Sequence, residues 1–234
     1  MISREIDKGY EIMKKNSSVK SVSGFDYLCL ALYAFAGVGL EVVLAFWIEP
    51  VLYGEPMSEW SVLQNILHWI MTCILWGLSA VLIVKYAKKK YGFDLFQRGE
   101  KVKVWQWLLV AVFMILSLMV SYMNWNGSKV LKEFQANGLL KFIFQYIYYV
   151  FETALITLIL VFGQMALEKW FHKENFPYGG IILAVTWGIG HFFTKDILTG
   201  IVCMISGFAF GSVYLLVNRD IRKAFPILLA MFIL

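Results

Sequence analysis

The sequence predicts an all-α fold, a polytopic bundle of transmembrane helices, on three observations. Of 234 residues, 60% are hydrophobic and only 16% charged, with a mean hydropathy of +0.68. A soluble domain lies nearer half apolar and a quarter charged. The charges fall in short clusters between apolar runs of about 20 residues, the length at which a helix crosses a ~30 Å hydrocarbon core. The basic residues are also shared unevenly between alternate connections, as orientation in a membrane requires.

The polar segment 1–24 reads as a retained cytoplasmic tail. A signal peptide would reach its apolar region sooner and follow it with small residues. Ile6, Tyr10 and Met13 fall at helical spacing and suggest a surface helix there. Residues 25–234 then form one membrane domain. Span 1 is Phe25–Ile48, span 2 Leu63–Val84, span 3 Val104–Trp125, span 4 Leu139–Leu167, span 5 Pro177–Phe193 and span 6 Ile197–Val217. The last apolar segment, Phe225–Leu234, covers only ~15 Å by helical rise, so it reads either as a half-span packed on its neighbours or as the start of a longer natural segment. Trp47, Trp60, Trp105, Trp107, Trp125 and Trp170 stand at span ends, where indoles anchor at the interface.

Of the 21 Lys and Arg residues, all but four (Lys129, Lys132, Lys141 and Lys195) lie in the tail or in the connections after spans 2, 4 and 6. The N-terminus and the Lys85–Lys103 loop are therefore expected in the cytoplasm and the Glu49–Val62 loop outside. The sequence pI of about 9.0 follows from those loops, without any nucleic acid partner. The expected environment is the lipid bilayer. Cys29, Cys73 and Cys203 all sit in apolar runs without metal-ligand or disulfide spacing, and read as small buried hydrophobes.

Ionisable residues inside spans are expensive and default to function. Glu152 stands mid-span 4, with Gln145 and Tyr148 or Tyr149 on the same helical face. A buried carboxylate there serves either as a general base or as a protonated, hydrogen-bonded packing element. His191 ends span 5, in Trp187-Gly-Ile-Gly-His191, as a candidate metal ligand or an interfacial residue. By helical rise Glu152 is ~16 Å inward of Lys141, and His191 only ~6 Å from Lys195. Gly207 and Gly211 form a small-x3-small pair, the mark of a close helix contact. Glu41 in span 1 needs a partner, and His68 in span 2 reads as a residue near the outer interface.

From Tyr148 to the C-terminus, a Glu-bearing span is followed by an aromatic-x3-His span, a Gly207-x3-Gly211-x2-Tyr214 span and the segment Ala224-Phe-Pro226-Ile-Leu-Leu-Ala230. This order resembles the CPBP family, the CAAX-protease and bacteriocin-processing (Abi) intramembrane metalloproteases, with the family-like core at about 139–234. The resemblance implies that Glu152 is the water-activating glutamate and His191 a metal ligand. Thr153 stands at the second glutamate and Thr157 at the arginine of the family's EExxxR. Trp187 replaces the family's phenylalanine. Met231 stands where the last helix carries a histidine, and the final polar ligand would fall past Leu234.

With that ligand set incomplete, the expectation is a degenerate member in a bacterial plasma membrane, holding no cofactor and serving a binding, immunity or scaffold role. Its partner would then be another membrane protein. The alternatives are an active zinc endopeptidase using Glu152 and His191 on a prenylated or peptide substrate, and a transporter-like component in which Glu41, Glu152 and His191 line a path.

Overall fold

Most of the apolar runs begin at a polar residue able to cap a helix, and each run forms one. The computed structural model describes residues 22–234, so the suggested helix carrying Ile6, Tyr10 and Met13 lies outside the described residues. Helix α1, Gly24–Tyr53, starts from a capping box in which the Ser23 N–H donates to the Asp26 carboxylate (2.9 Å). Helix α2, Val62–Tyr91, repeats the device with Ser61 and Gln64 (2.7 Å) and stops at Gly92 (φ 65°), in the left-handed region that glycine adopts freely. Helix α3 is Val104–Asn124 and α4 is Lys129–Phe171, capped by Ser128. Helix α5 is Tyr178–Thr194, α6 is Ile197–Leu216 and α7 is Ile221–Ile233. Asp196 caps α6 and Asp220 caps α7. Hydrogen bonds from Thr199 hold the Asp196 carboxyl below its ordinary range, and Arg222 with Lys223 holds Asp220 below it too. Both caps therefore stay ionised at neutral pH, matching the positive end of each helix dipole.

No strand occurs among the described residues, and the fold is an all-α bundle. Helix α4 is its axis. Leu155, Ile156, Ile159, Leu160, Val161 and Phe162 are fully buried, so this stretch is covered on every side, as only a core helix is. Helices α1, α2, α5 and α7 pack against it. Peripheral α3 instead exposes Leu108, Ile115, Leu116 and Met119, an apolar belt suited to acyl chains. Helices α1, α2, α3, α4 and α6 are long and apolar enough to cross a membrane, and α5 is a shorter apolar helix. The C-terminal apolar segment is helical and begins earlier than expected, at Ile221.

Two expected connections are helical instead. The first span continues past Ile48 to Tyr53, which puts Glu49 inside the bundle rather than in a loop. Span 4 begins at Lys129, and a break at Gly138 (φ 67°, ψ 172°) separates a short first segment from the long one. Trp60 is also no interfacial anchor. It is buried, packed edge-on against Tyr53 (5.4 Å between rings).

The basic connections gather at one end. Tyr91 donates to Asp26 (3.2 Å), Asn218 to the Lys101 carbonyl (3.2 Å), and Arg219 pairs with Glu168 (2.6 Å). The opposite end joins Ser121 to the Leu234 carbonyl and Lys129 to the Phe232 carbonyl. If the basic end is cytoplasmic, a membrane-impermeant thiol reagent applied to intact cells should label Met57→Cys but not Gln97→Cys. Labelling of Gln97→Cys from outside would invert the orientation.

Candidate functional site in the bundle interior

Glu152 points into the bundle, as its cost at a lipid face requires, and is 7% exposed. Its Oε1 accepts a hydrogen bond from the Trp187 indole (2.9 Å). Trp187 lies in a π-helical turn, Ala184–Gly188, one turn deeper than His191. The His191 ring packs on the Trp187 indole (4.6 Å between centroids), and its Nδ1 lies 2.8 Å from the Trp187 carbonyl. Glu152 and His191 are thus gathered around one tryptophan.

The expected polar face of α4 divides in three. Gln145 and Tyr149 turn to Glu133, on the segment before the Gly138 break. Glu133 accepts from Tyr149 (2.6 Å), Tyr146 (3.0 Å) and Gln145 (3.3 Å), a fully satisfied buried carboxylate. Tyr148 stacks on Trp76 (4.7 Å between rings). Thr153 donates back to the Tyr149 carbonyl (2.7 Å), while the buried Thr157 hydroxyl has no partner among the described residues. The Lys129 ammonium, expected in a loop, reaches over the Tyr149 ring at 4.7 Å.

Helices α5 and α6 press these groups together through glycine. A Cβ on Gly211 would lie 2.6 Å from the Gly180 nitrogen, and one on Gly207 would lie 3.1 Å from the Ala184 nitrogen. Helix α7 closes the site, with Met231 buried and the Phe232 ring 5.8 Å from Trp187.

The zinc that the resemblance implies does not fit these residues. A hydrolytic site takes three protein ligands and keeps an open position for water. Here His191 keeps Nε2 free as one ligand and Glu152 keeps Oε2, but Met231 offers only a soft thioether, so the set stops short of three. Among the described residues, no three His, Cys, Asp or Glu side chains converge as metal ligands.

A second polar cluster joins α1 and α2. His68 Nδ1 lies 2.6 Å from Glu49 Oε2, and His68 Nε2 lies 3.6 Å from Glu41 Oε1. Glu49 is fully buried and His68 is 1% exposed. Glu49, Glu133 and Lys129 are the polar residues that sequence reasoning placed in connections. Glu133 had one usable signal, a lone carboxylate among apolar residues shortly before a Tyr- and Gln-rich helix.

Fold and interior together define a helical bundle of the kind that crosses a membrane several times, with polar groups buried between its helices. No family model matches the chain, and neither does any curated protein or solved structure.

Proposed function

We propose that this chain is a CPBP-like integral membrane protein whose protease site is degenerate, and that it acts by binding a membrane partner in an immunity or scaffold role. The observation that carries this reading is the Trp187–Glu152 hydrogen bond. The aromatic residue of the aromatic-x3-His motif donates to the very carboxylate that would have to activate water. That bond joins α4 to α5 and supports reading the carboxylate as a packing element. The placing of α7 supports the family likeness, because Phe232, next to the buried Met231, comes up beside Trp187 and Tyr149, where a last-helix ligand would have to arrive.

Elemental analysis of the purified protein, paired with cleavage of a prenylated peptide by the protein in lipid vesicles, tests the reading. The expected result is zinc far below one ion per chain and no cleavage. Stoichiometric zinc, with cleavage abolished in Glu152→Ala, would overturn it in favour of an endopeptidase.

A further inference from the structure

The second cluster has a chemistry of its own. With His68 Nδ1 donating to Glu49 Oε2, the other ring nitrogen, Nε2, faces the Glu41 carboxylate at 3.6 Å. In the neutral ring Nε2 is an acceptor, so two acceptors then face each other. Glu49 Oε1 and His68 Nε2 are both buried with no hydrogen-bond partner among the described residues. So is the hydroxyl of Thr72, one helical turn from His68 on the same face of α2. Two carboxylates around a neutral imidazole carry no positive charge and leave Nε2 facing an acceptor.

We propose that Glu41, His68 and Glu49 form a proton-binding site between α1 and α2, entered through Glu41. The ligand is the smallest cation because the packing admits nothing larger. Glu49 is 0% and His68 1% exposed, and the Trp60 ring closes over the imidazole at 5.4 Å between centroids. Glu41, with 28% of its side chain exposed, is the open member. Hydronium gives a proton to the Glu41 carboxylate and leaves as water; that O–H bond breaks as the proton passes to Nε2, where an N–H bond forms and Glu41 is again ionised. The cluster goes from two negative charges to one, and Nε2 becomes a donor directed at Glu41. The other titratable groups facing the cluster are Tyr148 and Glu152 on α4 and His191 on α5, all within electrostatic range of Glu41, and Tyr53 beside Trp60. Intramembrane chains of carboxylate and histidine are the usual carriers of protons.

The test is solid-state NMR of the full chain in phosphatidylcholine vesicles with ring-15N histidine, the His68 signals being assigned by their loss in His68→Gln. Between pH 5 and pH 9, His68 should pass from two protonated ring nitrogens to one. Glu41→Gln should displace that midpoint to lower pH by about 1 unit or more, as loss of an adjacent opposite charge does. Asp220→Asn, at the far end of the bundle, should leave it in place. A His68 ring held in one protonation state across the range, as a static ion pair or a water-bridged contact would hold it, overturns the proposal. So does a midpoint indifferent to Glu41→Gln. Glu41→Gln spares the buried His68–Glu49 bond and should fold. The wild-type titration decides alone if it does not.

Discussion

His68→Ala should cost the protein about 3–5 kcal/mol of stability, the usual penalty for removing one partner of a buried pair. The loss comes from what is left behind more than from the bond itself. Glu49 is fully buried, and its Oε1 already lacks a partner. Without the imidazole, the whole carboxylate faces apolar packing between α1 and α2. Equilibrium unfolding in mild detergent measures the effect. Replacing both partners, in Glu49→Leu with His68→Leu, should restore much of the loss, since no charge then remains unpaired. A His68→Ala protein within about 1 kcal/mol of wild type would mean that the pair contributes nothing to folding.

Gly207→Leu with Gly211→Leu should destabilise the bundle by about 3 kcal/mol or more, the upper range for overpacking. The Cβ atoms would meet backbone: the Gly180 nitrogen at 2.6 Å for position 211 and the Ala184 nitrogen at 3.1 Å for position 207. A flexible side chain could move aside, but the backbone of a neighbouring helix moves only if α5 separates from α6. That separation would also carry Trp187 away from Glu152. Ile205→Leu, on a face of α6 that is 58% exposed at that residue, should be neutral. Equal detergent stability of the two proteins would show that the α5–α6 contact is not close.

The helices were legible because they follow from composition and spacing. Apolar runs of about 20 residues stand between charged clusters, and a helix in lipid must satisfy its own backbone. The inward direction of Glu152 was legible for the same reason, a charge at a lipid face being too costly. The glycine contact was legible because two glycines at i and i+4 have no other use on one face. What Glu152 bonds to was not legible. A tryptophan in an aromatic-x3-His motif reads as bulk, and its N–H becomes a donor only once α5 lies against α4.

Glu49 shows most sharply where the sequence stops. In a regular helix, residues eight apart, such as Glu41 and Glu49, differ by about 80° around the axis. A regular helix would therefore separate the two carboxylates and leave His68 with one partner at most. The π-helical turn Leu44–Ile48 absorbs one extra residue, which cuts the difference to about 20° and brings both carboxylates to the same imidazole. Nothing in the run Leu-Ala-Phe-Trp-Ile marks such a turn. The sequence by itself determined that the chain is helical, roughly where most of its helices lie, and which way its buried glutamate must face, because these depend on neighbours along the chain and on the cost of charge in lipid. Only the tertiary structure decided that Glu49 joins His68, that Trp187 takes the oxygen of Glu152, and that Glu133 gathers the tyrosines. Each of these rests on how one helix is wound where it meets another.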